Sequence, residues 1–520
     1  MLAPAFSARA SNGILKVLSR LEKLYSVAQS RRVDHAAMQQ PACAGNALME
    51  RAGAAAYTVM RRRWPQAQQV GVLCGAGNNG GDGYVLARLA RSAGLGVALG
   101  RVAGVPRPGS EADAARQGWL ACGGAEQADV QATLAGADVV VDALLGTGLD
   151  RPPTGRVAEA IDAINACGRP VLALDVPSGL DADTGAAPGA VVQARATVSF
   201  VVRKQGLYTG AARDCCGELA FDDLGVPTDA VDAAGPAPAA LLDLDALRVA
   251  FAPPRRRGAH KGNFGHVLVL GGDHGYGGAV RLAGAASARA GAGLTSVGTR
   301  AAHVPALIAG QPELMARGVD AAADLAPLLA RASVLAVGPG LGQGDFGRAL
   351  LGAALDSGLP LVVDADALNL LAVDPQRRED WILTPHPGEA ARLLGISTAQ
   401  VEADRYAAAR ALHARYGGVV VLKGAGTLVC DGQAPVGVVP YGNPGMASGG
   451  MGDVLTGVIA ALWAQGLPAF AAAALGACLH GAAADAVAAR RGERGLLAGD
   501  LLDVLPALLN GTDHGAHLGA

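Results

Sequence analysis

Aromatic residues are scarce in this 520-residue chain, 4% in all, and charged residues reach only 17%, below the roughly 25% usual for soluble domains. A core with so few rings must be packed from Ala, Val and Leu, helped by 74 glycines. Neither sign of charge dominates: 43 Lys and Arg face 45 Asp and Glu, so no basic field exists to grip a nucleic-acid backbone. The eight cysteines include no Cys-x-x-Cys, only the adjacent Cys215 and Cys216. That excludes the common zinc patterns and a disulfide framework, and implies a reducing cytoplasm. Glycine shows no three-residue period, which rules out collagen, and the Val and Leu content argues against wholesale disorder. No short internal repeat is present, which removes a solenoid. There is also no Gly-x-x-x-x-Gly-Lys-Ser/Thr, since Lys261 and Lys423 are each followed by Gly; P-loop chemistry is excluded.

Long apolar runs are nearly absent. Residues 454–479 carry no charge, long enough for a membrane span, but Gly466-Leu467-Pro468 cuts the run into two Ala-rich pieces. Two core helices with a turn between them are expected, and no membrane partner. Near the start, Ile14, Leu15, Val17, Leu18, Leu21 and Leu24 alternate with Lys16, Arg20 and Lys23 in a way that predicts a short amphipathic surface helix; a transit peptide is the alternative.

The length suggests two to four domains. Two blocks emerge, residues 27–225 and 241–510, joined by a Pro/Ala stretch at 226–240 that reads as a linker. An extension (1–26) and a tail (511–520) flank them. In both blocks short β-branched runs alternate with Ala-rich helical stretches. Expected strands are 69–74, 96–102, 138–141, 171–174 and 197–202 in the first, and 266–270, 294–297, 334–337, 361–363, 381–383 and 419–422 in the second. Apolar strands between helices indicate parallel sheets covered on both faces, so each block is an α/β layer structure. Ligands of such sheets collect beyond the carboxyl ends of the strands.

The polar and glycine-rich segments fall there. In the first block the first strand runs into Gly75-Ala-Gly77-Asn78-Asn79-Gly80-Gly81-Asp82-Gly83, followed by an expected helix over 84–92. Glycines admit a ligand close to backbone, and a helix N-terminus offers free N–H groups to an anion. No acidic residue ends the next strand near Arg101, so an ordinary dinucleotide dehydrogenase is unsupported. Asp142, before Gly146-Thr147-Gly148-Leu149, and Asp175, before Pro177-Ser178-Gly179, end neighbouring strands and form an acid/base candidate pair. Carboxylate, Asn and Ser oxygens without His or Cys also suit a hard monovalent or divalent cation.

In the second block Ser448-Gly-Gly-Met-Gly452-Asp453 opens a helix over 454–462. Gly449, Gly450 and Gly452 would present N–H groups to developing negative charge, with Asp453 beside them to take a proton from a hydroxyl. Lys423-Gly-Ala-Gly-Thr427 follows a strand directly and fits a nucleotide-phosphate contact. With five Lys against 38 Arg, Lys261 and Lys423 in Gly-rich segments suggest places where an ammonium is needed. Converging on the same edge are Gly271–Ala279, Gly338–Gly342, the carboxylates Asp364 and Asp366, and His386 held between Pro385 and Pro387.

Together these residues resemble a known family. Asn78-Asn79-Gly80-Gly81-Asp82, Val141-Asp142-Ala-Leu-Leu-Gly-Thr-Gly148 and Asp175-Val-Pro-Ser-Gly179 look like the NAD(P)HX epimerase domain. Gly338-Pro-Gly-Leu-Gly342, Asp364-Ala-Asp-Ala-Leu-Asn369, Thr384-Pro-His-Pro-Gly-Glu389, Lys423-Gly-Ala-Gly-Thr427 and Gly449-Gly-Met-Gly-Asp453 look like the ADP-dependent NAD(P)HX dehydratase domain, similar to ribokinase-type kinases. The resemblance covers residues 27–509. It implies a Rossmann-like α/β/α sandwich followed by a ribokinase-like α/β/α sandwich. It also implies repair of hydrated NADH and NADPH: epimerisation of the R and S forms, then dehydration of the S form with ADP converted to AMP and phosphate.

By resemblance, Asn78, Asn79, Gly80, Gly81, Asp82, Gly146, Thr147, Gly148, Leu149, Asp150, Arg151, Pro152 and Asp175 contact the hydrated dinucleotide in the first domain. Asn79, Asp142 and Ser178 resemble a K+ set. In the second domain Ala279, Gly340, His386 and Asp453 look like dinucleotide contacts. Lys423, Gly424, Ala425, Gly426, Thr427 and Gly452 look like contacts to ADP, which would arrive with Mg2+. Asp453 is the expected base; Asp142 and Asp175 are the proton-handling candidates of the epimerase, their division of labour open. A homo-oligomer is expected. The competing reading is a ribokinase-like kinase of a small alcohol, such as a sugar or vitamin, with a non-catalytic N-terminal binding domain.

Overall fold

The computed structural model describes residues 20–433 and 435–512. The chain divides into two compact units, Lys23–Ala239 and the part from Ala240 onward. Most of the expected N-terminal extension, and the tail beyond Thr512, lie outside the described residues. What is described of the expected amphipathic helix is a turn and the short strand Glu22–Leu24; a helix follows at Val27–Met38, capped by Ser26, whose hydroxyl accepts from the Gln29 N–H.

In the first unit the sheet order is Gly96–Arg101, Gln69–Cys74, Val139–Ala143, Val171–Leu174, Ala196–Phe200, Glu218–Asp222, with every pairing parallel. Successive side chains of a strand point to opposite faces. Val139 and Val141 accordingly enter one apolar cluster and Val140 the other, so helices cover both faces as in an α/β/α sandwich. The last strand went unread in the sequence; its residues are half-exposed, an edge position without the apolar signature. The stretch expected as a linker packs instead: Thr228–Asp232 is helical, and Val226, Ala230 and Ala234 are buried in the first unit's core. Alanines look featureless in sequence yet are small enough to pack into this core.

The second unit's sheet, read from Val436–Val438, continues through Leu428–Cys430, Val419–Leu422, Trp381–Leu383, Leu361–Val363, Val334–Val337, His266–Leu270, Leu294–Thr299 and Met315–Gly318. The six expected strands are all present and parallel; Leu428–Cys430 runs antiparallel to both its neighbours. Val267 and Val269 pack on helices Gly277–Arg289 and Met451–Ala464, while Leu268 and Leu270 are buried on the other face.

Small residues permit close helix crossings. A Cβ on Gly457 would lie 2.0 Å from the Ala283 carbonyl oxygen. The apolar run folds as Met451–Ala464 and Ala469–Arg491, split at Gly466-Leu467-Pro468. The second helix is 23 residues, longer than the sequence suggested. It is long and apolar enough to cross a membrane, but it is mostly buried within the fold, which is how a core helix passes that test.

Candidate active sites

In the first unit the strand order reverses at Gln69–Cys74, which pairs Gly96–Arg101 on one side and Val139–Ala143 on the other. A crevice opens at such a switch point. The helix after it begins at Asn78, not Tyr84, so Asn78 to Gly83 are its first turns and not a loop. Glycine permits this: a Cβ at Gly75 would lie 2.0 Å from the Leu144 carbonyl, and one at Gly80 2.1 Å from the Gly75 carbonyl. Gly80 and Gly81 are buried, and a Cβ on Gly81 would meet Met49 at 2.5 Å. Their place in the motif is close packing.

The crevice is a cavity of about 570 Å³, and Asn78, Asn79, Asp82, Gly146, Thr147, Gly148 and Asp175 line it. Leu149 is half-buried, and Asp150, Arg151 and Pro152 are exposed beyond that lining. Four ionisable residues that the sequence reading missed, Arg31, Asp34, Glu111 and Lys204, line the cavity too. Lys204 is buried and its ammonium donates to Asp175 Oδ1 at 2.5 Å and to the Phe200 carbonyl at 2.7 Å. Asp175 has φ 62° and Val201 φ 67°. In each case the next N–H reaches back to the preceding carbonyl at 2.7 Å, a tight γ-turn that is rare and strained. These two bends at adjacent strand ends present Asp175 and Val201 to the cavity.

The acids respond to burial. Asp82 is pushed well above the usual carboxylate range by burial, with Asp175 and Asp34 adding and Lys204 opposing. Asp34 is pushed up to about 6, again by burial first, and burial raises Glu111. Asp142 is 0% exposed. Its Oδ1 accepts from the Ser178 hydroxyl at 2.6 Å and the Leu144 N–H at 3.2 Å, and its Oδ2 from the Ser178 N–H at 2.8 Å. Burial still raises it to about 6 against those bonds. Asn79 Nδ2 donates to the Leu145 carbonyl at 2.9 Å, while its Oδ1 is buried with no hydrogen-bond partner. Asn79, Ser178 and Asp142 are thus joined through Leu145 and Leu144, and an unmatched oxygen among oxygen donors fits a hard cation.

In the second unit the switch point is His266–Leu270, flanked by Leu294–Thr299 and Val334–Val337. Asp364, just past Leu361–Val363, is buried and accepts from Lys423 Nζ at 2.7 Å and from the Thr456 hydroxyl at 2.9 Å. Burial alone would raise Asp364, but Lys423 holds it below the usual range. Burial alone would lower Lys423, but Asp364 and Glu389, the latter at 3.8 Å, raise it. Gly452 roofs this pair: a Cβ there would lie 3.3 Å from both Lys423 Nζ and Asp364 Oδ2. The helix Met451–Ala464 starts from Gly450, whose φ of 93° suits glycine. Asp453 sits in its first turn, pushed up to about 7 by burial and then by Asp364, with Lys423 opposing.

His386 caps helix Pro387–Leu394, its Nδ1 accepting from the Gly388 N–H at 3.0 Å and its Nε2 lying 3.4 Å from Glu389 Oε1. Burial, then Lys423, lowers its pKa. The Lys423–Thr427 turn is fixed by buried Arg405, which donates to the Lys423 carbonyl at 3.0 Å, and by the Thr427 hydroxyl on the Gly424 carbonyl at 3.0 Å. Ala279 and Gly340 meet at the switch point, where a Cβ on Gly340 would lie 3.2 Å from that of Ala279. The carboxylate pair diverges: Asp366 faces away to accept from the Gly342 N–H at 2.9 Å. Lys261 is exposed in a short 3-10 turn, away from this cluster, so the second ammonium belongs to Lys204, in a segment with no glycine-rich signal. His480 also escaped notice. It is buried, its Nε2 has no hydrogen-bond partner, and burial lowers it to about 4.

Comparison with known proteins agrees with both halves. A family model described as NAD(P)H-hydrate dehydratase matches residues 267–507, and one described as YjeF-related protein N-terminus matches residues 45–206. The bifunctional NAD(P)H-hydrate repair enzyme of Coxiella burnetii is 48% identical over 94% of this chain and 99% of its own. The enzyme of that description from Escherichia coli is 47% identical over 89% of each. Among solved structures, the ADP/ATP-dependent NAD(P)H-hydrate dehydratase of Bacillus subtilis, crystallised with ATP and Mg2+, is 29% identical and covers 52% of this chain and 98% of its own, with a TM-score of 0.47.

Proposed function

Since the chain belongs to the family of bifunctional NAD(P)H-hydrate repair enzymes, we propose that its first unit interconverts the R and S epimers of hydrated NADH and NADPH, and that its second dehydrates the S form while converting ADP to AMP and phosphate. The observation that carries this reading is Asp453: a carboxyl held at about 7 in the first turn of a glycine-started helix, beside a buried Lys–Asp pair.

A ring hydroxyl is a poor leaving group. Asp453, ionised, accepts the hydroxyl proton as the oxygen attacks the terminal phosphorus of ADP, and AMP departs. The helix N-terminus and the Lys423 ammonium face the charge that spreads over the transferred phosphoryl group. The C–O bond to phosphate then breaks, a proton leaves the neighbouring ring carbon, and the ring regains its conjugation. Lys423 with Gly424, Ala425, Gly426, Thr427 and Gly452 takes the nucleotide; Ala279, Gly340 and His386 take the dinucleotide. Mg2+ fits as an ion held mainly by phosphate oxygens and water, because no group of three His, Cys, Asp or Glu is preformed among the described residues.

Epimerisation moves a hydroxyl from one face of a ring carbon to the other, which needs a proton donor and a proton acceptor together. Asp175, charge-paired to Lys204, is assigned to the acceptor side. Asp34 and Asp82, raised by burial, are assigned to the donor side. Asp142 is assigned with Asn79 and Ser178 to K+, which when bound supplies fixed positive charge beside the cavity. Gly146, Thr147 and Gly148 hold the dinucleotide, with half-buried Leu149 and the exposed Asp150, Arg151 and Pro152 as an outer contact. The free cysteines support a reducing cytoplasm; a homo-oligomer rests on the family resemblance alone. Incubating hydrated NADH with ADP and following the absorbance of reduced nicotinamide tests the whole reading. A stable phosphorylated product with no NADH would overturn it.

A further inference from the structure

The second unit presents one side chain that nothing above uses. Tyr276 is 63% exposed, the one exposed aromatic among the described residues of a chain that otherwise tucks its rings away, with Trp119, Trp381, Tyr84, Tyr406 and Tyr416 fully buried. It lies in the loop between His266–Leu270 and Gly277–Arg289, at the switch point of the sheet. A Cβ on Gly340 would lie 2.7 Å from the Tyr276 Cβ and 3.2 Å from the Ala279 Cβ, so the ring leaves the backbone directly beside two residues assigned to the dinucleotide.

The loop that carries it is rigid. The Gly272 N–H donates to the Pro339 carbonyl at 3.0 Å, the Asp273 N–H to the Gly340 carbonyl at 2.7 Å, and the Tyr276 N–H to the Asp273 carbonyl at 2.8 Å. Arg300 Nε donates to Asp273 Oδ1 at 2.8 Å, and its guanidinium lies over the Phe346 ring at 3.8 Å. An exposed ring loses apolar burial that folding would reward, and a fixed loop carries little ordering cost on binding. Both conditions are those of a preorganised platform.

We propose that Tyr276 stacks against a planar ring of the hydrated dinucleotide in the dehydratase site. This rests on the dehydratase reading of that site. Stacking of a base on an aromatic side chain is sequence-tolerant and strong enough to measure, and it fits a substrate that carries a flat adenine at one end. The saturated part of the hydrated nicotinamide cannot lie flat on the phenol, whereas adenine can.

The test is steady-state dehydration of (S)-NADHX by the full chain, wild type against Tyr276→Ala and Tyr276→Phe. Tyr276→Ala should raise KM for (S)-NADHX by about tenfold, with kcat and KM for ADP within about twofold of wild type. Tyr276→Phe should keep KM near wild type. Inhibition by ADP-ribose and by reduced nicotinamide mononucleotide, competitive with (S)-NADHX, tells the rings apart: whichever loses inhibition in the alanine variant carries the stacked ring. An unchanged KM in Tyr276→Ala overturns the inference. So does a phenylalanine variant as impaired as alanine, or a rise confined to the KM for ADP. A wild type that releases no NADH at all sinks the dehydratase reading instead.

Discussion

Lys204 meets Asp175 at 2.5 Å beyond the ends of two adjacent strands of the first unit, and Lys423 meets Asp364 at 2.7 Å in the second. Both pairs sit at the carboxyl edge of a parallel sheet, and both lie near carboxyls that burial has raised, Asp34 and Asp82 in one case and Asp453 in the other. The surroundings differ. The first pair opens onto a cavity of about 570 Å³ with further acids in its wall. The second is roofed by Gly452 and by a helix N-terminus aimed over it. A buried ion pair is a poor route to stability, because desolvation offsets the attraction. Its recurrence at two carboxyl edges is better understood as placement of charge. A hydroxyl that only changes face needs proton carriers, whereas a phosphoryl group in flight also needs backbone donors beside the cation; both units have a glycine-started helix, but it is in the second that Gly452 of this first turn lies against the Lys–Asp pair.

The comparison breaks most visibly at Asp453. Asp453→Asn should lower dehydration by about 10²–10⁴-fold and leave R-to-S exchange intact; a loss under tenfold would remove Asp453 from the base role. Next come the two lysines. Lys423→Met strands the buried Asp364 carboxylate, which costs about 3–5 kcal/mol, whereas Lys204→Met leaves Asp175 open to the cavity and should cost less; each should silence only its own reaction. Denaturant melts of the variants, with separate epimerase and dehydratase assays, read both effects; loss of both activities from either change would mean that the units do not act independently.

A smaller effect sharpens the contrast through pH. Asp453 is protonated below about 7 and then cannot take a proton, so dehydration kcat should fall about tenfold per pH unit below that value and level off above it. The stability sign is the reverse. A carboxyl raised from 3.8 to about 7 by folding favours the folded state at low pH and loses that contribution as pH rises through 7. Asp453→Asn should therefore raise Tm more at about pH 8 than at about pH 5; an equal gain at both would reject the raised carboxyl. Smallest of all, exchanging K+ for Li+ should slow epimer exchange by a few-fold, because Li+ gives up its water to a protein oxygen such as the unpartnered Asn79 Oδ1 less readily than K+ does. An unchanged rate would take Asn79, Asp142 and Ser178 out of cation binding.

Much of this was legible early because apolar strands and glycine turns are local signals. The strands Gln69–Cys74 and His266–Leu270 stand as read. Boundaries that depend on packing were misread. The helix at Asn78 starts six residues earlier than its apolar pattern, because Gly80 and Gly81 have no Cβ to obstruct Gly75 and Met49. Lys204 and Asp34 carried no motif at all. Each reaches the cavity from a segment far along the chain, one after Ala196–Phe200 and one from helix Val27–Met38.

Composition, strand periodicity and motif spacing, which act over a few residues, determined by themselves that this chain is two parallel α/β layers with polar loops at their carboxyl edges. Which ammonium meets which carboxylate, which glycine is packing and which is site, and how far burial moves each acid were decided by tertiary structure alone. Those outcomes depend on distance and desolvation between residues that the sequence holds tens to hundreds of positions apart.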